Sequence, residues 1–451
     1  MTNISAALDL VKCDIPCKEK ITSILKAALD AADPMKAVED NLDLEGDTLI
    51  VGNNQFSLPP GARIVTVALG KAAPAMLKGA VNCLGVRVQD GVCVCKHPQN
   101  DMSFLEGIKI VIGDHPVPGE GSIQAGKMIK ETVTGLSSHD MVLLLLSGGG
   151  SSLAVLPVEG ITLSDLQEST AALLRSGATI SELNTVRKHL DLLKGGGLLR
   201  MAAPARVAAL VLSDVVGNDL EVIASGPAYP DPSTYSQALE IILRTGKFGR
   251  LIPGIINHLK QGTAGKKPET VKSGDAEAKL GFNTIIGSNL NSCLAAVDKA
   301  QISGFQAEFL TDRLVGEARS VGEHLAEIAQ VKNRLPGPFM LLCGGETTVT
   351  VVGEGKGGRN QEVALGAVRG LAGLENVLLV TLATDGEDGP TDAAGAFVDG
   401  STLRRALTRG LDPDDFLRRN DAYTFFESLA DLLVIGPTGT NVNDISFIFG
   451  F

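Results

Sequence analysis

The 451-residue chain has no tryptophan, only 4% aromatic residues and no basic cluster interleaved with aromatics. Nucleic-acid surfaces are built from positive patches and stacking rings, so nucleic acid is not an expected partner. A net charge of −12 and an isoelectric point near 5.1 agree. Long apolar runs are also missing. The longest, such as Met141 to Leu146, fall far short of the roughly 20 residues that cross a bilayer. The first residues carry Asp9, Lys12 and Asp14 in place of the basic start and apolar core of a secretory signal. A soluble, cytoplasmic protein is expected, with homo-oligomerisation left open. The seven cysteines are odd in number and argue for reduced thiols over a disulfide framework. Cys93 and Cys95 alternate along "GVCVCK" and share one face, read as packed because no second Cys or His pair lies at ligand spacing. HExxH is absent, and so is any solenoid period. No Gly-Lys pair is followed by Ser or Thr, which removes the familiar P-loop.

The remaining composition, 44% hydrophobic with 52 glycines, suits a globular α/β protein rich in tight turns. Its length exceeds one ordinary core and predicts two domains. Strand-like runs alternate with helical patterns, which argues for βα units around a doubly wound parallel sheet. "ARIVTVALGK" predicts a strand from Arg63 to Leu69 running into a helix that carries Lys71. "GVCVCK", "IKIVIGD", "MVLLLLS" and "VAALVLSD" follow as further strands. The polar stretch from Gly262 to Gly281 is read as an exposed linker. Beyond it, "FNTIIGS", "FQAEFLT", "FMLLCGGETTVTVVG" and "NVLLVTLATDGEDGP" supply more strands. The third of these is hairpin-like, so mixed pairing is expected in the second domain.

In "LLLLSGGGSSLAVL", an apolar strand ends at Ser147, Gly148, Gly149, Gly150, Ser151 and Ser152. Bare N–H groups and small hydroxyls at a helix start favour an anion, most often a phosphate. Glycine clusters also make tight turns that bind nothing. Open α/β sheets place their chemistry at the carboxyl ends of strands, which singles out Lys71, Asp214, Glu346 and Asp385. "TDGEDGPTDAAGA" gathers Asp385, Glu387, Asp388 and Asp392 after a buried strand, as either an Mg²⁺ or catalytic loop or an acidic surface turn. Gly353, Gly355 and Gly358 satisfy G-x-G-x-x-G formally, which would suggest a nicotinamide cofactor. The hairpin-like strand before them and Arg359–Asn360 after them make that fingerprint weak.

"VALGKAA", "LLLSGGGSSL", "ELNTVRKHLDLLKGGGL", "LVLSDVVGNDLEVIASGP", "CGGETTVTV", "GKGGRNQEVAL" and "ATDGEDGPTDAAGA" together resemble the glycerate 2-kinase family with the MOFRL domain. Older usage called some members hydroxypyruvate reductases. The resemblance runs in order from about Val67 to Ala396. It implies a Rossmann-like amino-terminal domain, expected over residues 1–265 with the strands of 280–312 open to either side. A smaller mixed α/β carboxy-terminal domain is expected over 330–451, with the active site between the two. It further implies ATP- and Mg²⁺-dependent phosphorylation of D-glycerate to 2-phosphoglycerate. Lys71, Arg359 and Asp385 are then expected in catalysis, and Ser147 to Ser152, Asp214, Asn218, Glu346 and Asn360 in binding. Asp214 and Glu346 are the candidates for the metal. An NAD(P)H-dependent hydroxypyruvate reductase and a non-catalytic protein binding small acids are the alternatives.

Overall fold

The structure is a computed structural model, and it describes residues 4–88, 90–97, 107–244, 252–334 and 337–451. The chain forms two compact units, one of Pro34–Ile286 and one of Met1–Asp33 with Gly287–Phe451.

In the first unit, β1 (Leu42–Glu45), β2 (Thr48–Val51) and β3 (Asn54–Ser57) make a small antiparallel sheet. The main sheet contains β4 (Ile64–Leu69), β5 (Asp90–Cys95), β6 (Ile108–Ile112), β7 (Met141–Leu146), β8 (Arg206–Leu212) and β9 (Gly281–Gly287). Their order is β6-β5-β4-β7-β8-β9, and the pairings from β6 through β8 are parallel. Every residue of β4 and β7 is buried, the mark of central parallel strands covered on both faces. At β6 the exposed Ile110 and Ile112 show an edge. Val65, Val67 and Leu69 share a core with Val142, Leu144 and Leu146, as the two-residue strand period requires. Cys93 and Cys95 are buried. Helices Leu163–Arg175 and Ile180–Lys188 start at Thr162 and Thr179, each closing a capping box with an acid three residues on.

Strand order runs outward in both directions from the β4/β7 pair, so the carboxyl ends of these two strands form the topological switch point. Open α/β sheets bind ligands in that crevice. The expected helix carrying Lys71 instead begins at Ala73, and Lys71 lies in the turn before it.

The second unit has one six-stranded mixed sheet of β10 (Gln306–Leu314), β11 (Phe339–Gly345), β12 (Val377–Ala383), β13 (Gly395–Asp399), β14 (Leu432–Leu433) and β15 (Asp444–Gly450). Their order is β10-β11-β15-β12-β13-β14. β10 pairs with β11 in parallel, while β15 runs antiparallel to both β11 and β12. The expected hairpin within "FMLLCGGETTVTVVG" does not form. Only Phe339–Gly345 is strand, and the antiparallel partner comes from the end of the chain. One sheet face packs on helices Ala318–Lys332 and Arg359–Leu371. The other is covered by Asn289–Ile302 together with Ile4–Leu10 and Lys18–Asp30.

Two expectations therefore change, and the strands left open by the sequence are divided between the units. Residues 1–33, assigned by sequence to the first domain, supply a core layer of the second unit. Of the strands in 280–312, β9 joins the first sheet and β10 the second. The expected linker packs inside the first unit: Val271 is fully buried, donating to the Gly195 carbonyl and accepting from Asp231 N–H. Thr270 and Lys272 bond to Asp231, while Thr263 to Lys266 and Ser273 remain exposed.

Ile24, fully buried in the Lys18–Asp30 layer, tests the amino-terminal assignment. Ile24→Ala is expected to cost about 2–5 kcal/mol, read as a lower denaturation midpoint. An unchanged midpoint would mean that the segment is a dispensable arm.

Candidate active site

At the switch point of the first unit, Gly70 has φ +135°, and a Cβ there would meet Ser147 Oγ at 2.2 Å. Ser147 is buried, and its Oγ accepts the Ala72 N–H at 3.0 Å. The Lys71 N–H donates to the Gly148 carbonyl at 2.9 Å. These bonds lock the two strand ends together and leave the Ser-Gly loop facing outward from the sheet. Among the described residues, no backbone carbonyl takes the N–H groups of Gly148, Gly149, Gly150 or Ser151. Four successive N–H groups outside the backbone ladder form a concavity suited to an anion.

Side chains from neighbouring strand ends surround this loop. A Cβ at Gly148 would lie 2.0 Å from Asp214 Oδ2, so the Asp214 carboxylate rests on the loop backbone. Gly149 has φ +85° and is flanked by His115 and the stem of Lys71. The Ser151 hydroxyl meets Ser225 Oγ at 2.8 Å, and Ser225 donates toward Asn184 Oδ1 at 3.4 Å. Ser152 Oγ donates to the Gly149 carbonyl. Asn218 adopts φ +59° in the loop after β8 and makes a backbone turn to Val215.

Sequence reasoning missed three residues here. His115, after β6, is pushed down to about 4 by burial and by the adjacent charges of Lys71 and Lys96. Lys96 directly follows β5 just as Lys71 follows β4, so the same strand-end signal was available in "CVCK". Arg187, three residues after Asn184 on one helix face, has a guanidinium that makes no hydrogen bond or ion pair among the described residues. Burial lowers its pKa, and Asp191 only partly opposes this. A half-buried guanidinium with five donors and no acceptor suits an incoming carboxylate or phosphate.

The second unit holds the remaining expected residues. Arg359 opens helix Arg359–Leu371 and grips Asp444 with Nε at 2.5 Å and Nη2 at 3.3 Å, while Nη1 donates to Glu346 at 2.6 Å. Asp444, also missed by sequence reasoning, begins β15 opposite Gly345 of β11 and Ala383 of β12. Its pKa is pushed up to about 6 by burial, against the pull of Arg359. Buried Asn360 and Gln361 donate their N–H groups to Asp388 at 3.2 and 2.8 Å, so this helix start is already occupied by a carboxylate. Burial pushes Asp388 up to about 7, with Asp444 adding to the effect. Asp385 follows β12 and accepts the Glu387 N–H at 3.2 Å.

Two alternatives from the sequence are thereby settled in geometry. The acidic loop does not converge, because Asp388 caps a helix and Asp392 accepts from the Tyr423 hydroxyl at 2.8 Å. Among the described residues, no group of three or more His, Cys, Asp or Glu is arranged to hold a metal. The formal G-x-G-x-x-G lacks its preceding strand. Gly353 and Gly355 face the chain itself, since a Cβ at either would meet the Arg419 carbonyl within 2.5 Å. Val352 and Gly353 N–H groups are held by Asn420 Oδ1. Those glycines accommodate Arg419–Asp421, and the helix start that a pyrophosphate would need is filled by Asp388.

Because both raised carboxylates favour the neutral form in the folded state, their stabilisation is complete below the unfolded value near 4 and fades as pH rises through about 6 to 7. Asp388→Asn should flatten that decline, read as a smaller fall in unfolding midpoint between pH 5 and 8 than in the parent. A parallel decline would mean that Asp388 does not titrate there.

Comparison with known proteins identifies the family. A family model described as a domain of unknown function (DUF4147) matches residues 20–260, and the MOFRL family model matches residues 339–444. A D-glycerate 2-kinase of Thermotoga maritima is 41% identical over 432 residues, covering 95% of this chain and 97% of its own. A putative hydroxypyruvate reductase of Agrobacterium vitis is 39% identical over 450 residues, covering 96% and 95%. The crystal structure of a glycerate kinase from Thermotoga maritima aligns with a TM-score of 0.83 at 40% identity, covering 96% of this chain and 99% of that one. The chain belongs to the glycerate 2-kinase family that carries the MOFRL domain.

Proposed function

We propose that the protein transfers the γ-phosphoryl group of ATP to the 2-hydroxyl of D-glycerate, giving 2-phosphoglycerate and ADP. The observation that carries this reading is the run of four N–H groups from Gly148 to Ser151 that no backbone carbonyl of the described residues takes, beside Lys71 at the switch point. Phosphoryl transfer requires fixed donors and cations around charge spread over the moving oxygens.

In this reading the cradle and Lys71 hold phosphate oxygens, and Arg187 takes the glycerate carboxylate in its planar fork. Asp385 accepts the proton as the 2-hydroxyl oxygen attacks the γ-phosphorus and the bond to the β-phosphate oxygen breaks. Arg359 uses three of its five N–H donors on Asp444 and Glu346, leaving two for an anion. Asn360, buried against Asp388, positions this helix start. Asp214 is the better of the two expected metal ligands, because Glu346 is committed to Arg359. Mg²⁺ commonly takes one or two carboxylates and completes its shell with substrate phosphates and water, which fits a carboxylate resting against the cradle. When bound, it would neutralise phosphate charge. The Asn218 loop after β8 borders Asp214 and is read as lining the binding site.

Phosphorus NMR with D-glycerate and ATP tests the reading, because it reports both turnover and the phosphorylated carbon. Oxidation of NADH by hydroxypyruvate, with no ADP formed from ATP and D-glycerate, would restore the reductase. Lys71 is exposed at a strand end. Lys71→Ala should therefore change stability by less than roughly 0.5 kcal/mol while cutting kcat by about 10²-fold or more; near-normal turnover would remove Lys71 from the site. Arg359→Lys should lower activity and also cost about 1–3 kcal/mol of stability, because buried Asp444 loses its two-pronged partner. Turnover and unfolding midpoint, measured on one preparation, check both parts.

A further inference from the structure

Within the first unit, away from the Ser-Gly cradle, lies a second cavity of about 350 Å³. Its cover is Lys267–Thr270, part of the polar stretch that the sequence presents as a linker. Two of the cations lining it are neutralised: Lys188 pairs with Asp231 at 3.2 Å and Lys194 with Asp191 at 2.6 Å. Lys130, Arg200 and Lys267 have no ion pair among the described residues. The carboxylates on the lining are Glu159, Asp191 and Glu269, the last held by Lys272 at 3.0 Å. Positive charge thus exceeds negative charge around a partly open volume of ligand size.

His189 supplies the second observation. It is 1% exposed, and its Nδ1 lies 2.8 Å from the Thr185 carbonyl. Nδ1 must be the donor of that bond, so in the neutral ring Nε2 is an acceptor, and among the described residues it has no hydrogen-bond partner. Glu269 Oε1 lies 3.5 Å from it. A buried acceptor without a donor is costly and calls for a hydroxyl-bearing guest. Beside it the Tyr235 ring packs edge-on to His189 and His258, with centroids 4.7 and 5.6 Å apart.

We propose that this cavity is a second ligand site, distinct from the phosphoryl-transfer site, that takes a small phosphate-bearing anion. Its oxygens face Lys130, Arg200 and Lys267, and its hydroxyl donates to His189 Nε2. Monohydrogen phosphate is the smallest group that offers both. The Asp191 carboxylate that pairs with Lys194 on this lining also accepts the Leu156 N–H, and Lys194 reaches the Ala154 carbonyl. Both contacts fall on the chain just beyond Ser152, so an occupied cavity bears directly on the segment that anchors the cradle.

The lack of tryptophan supplies the readout, since tyrosine emission is unmasked and one of only three tyrosines lines the cavity. Inorganic phosphate titrated into the whole protein should change tyrosine emission saturably in the millimolar range. Tyr235→Phe should remove that change. Arg200→Ala combined with Lys267→Ala should raise the midpoint by about tenfold or more, the loss expected for removed charge-assisted hydrogen bonds, and leave phosphate-free kinase turnover within about twofold. An absent signal, an unshifted midpoint in the double variant, or a signal surviving in Tyr235→Phe would overturn the second site. The kinase reading stands or falls separately on the D-glycerate assay.

Discussion

The space denied to two Cβ atoms governs the first unit. At Gly70 and Gly148 any side chain would collide with Ser147 or Asp214, so backbone from β4 and backbone after β7 approach as only glycine permits. That approach allows Ser147 to accept the Ala72 N–H and Gly148 to accept the Lys71 N–H, which aims Lys71 alongside the loop. With the Gly148 carbonyl turned to Lys71, the loop N–H groups point away from the backbone ladder. The buried strands supply rigidity, and the glycines convert that rigidity into donors outside the ladder.

The second unit solves a different electrostatic problem. Asp388 and Asp444 are buried carboxylates whose pKa values rise by desolvation. They are held by a helix start, by Asn360 and by Arg359. A lone buried charge would be intolerable; the network distributes it over donors already fixed by β11, β12 and β15. Arg359 is therefore both a structural tie and a cation with donors to spare, and no single substitution there separates stability from chemistry.

Much of this was legible in the sequence. Runs such as "MVLLLLS" specified central strands because burial on both faces leaves no polar alternation, and the glycines after them marked the strand ends where Lys71, Asp214, Glu346 and Asp385 stand. Asp444 was not legible, because its position depends on β15 entering between β11 and β12, a pairing that no local pattern encodes. Lys96 was legible by the rule that found Lys71 and was overlooked beside the two cysteines. The segment around Val271 misled because its polarity satisfies buried partners such as Asp231. Arg187 was hidden in an ordinary helix, where only the absence of an acceptor distinguishes it.

The insertion of β15 has a consequence for how the polypeptide assembles during synthesis. Helices Ile4–Leu10 and Lys18–Asp30 emerge from the ribosome before every strand of their sheet, yet they pack on one whose central strand spans residues 444–450. The Lys12 N–H waits for the Ala430 carbonyl, and the Cys13 N–H for Asp431. The intervening unit, Pro34–Ile286, is continuous in sequence and can condense while translation proceeds. The leading helices meanwhile keep an apolar face with no partner. Contacts of such large sequence separation close late and slowly, so the interval between exit of the first helix and arrival of the last strand is when the nascent chain most needs shielding from its neighbours.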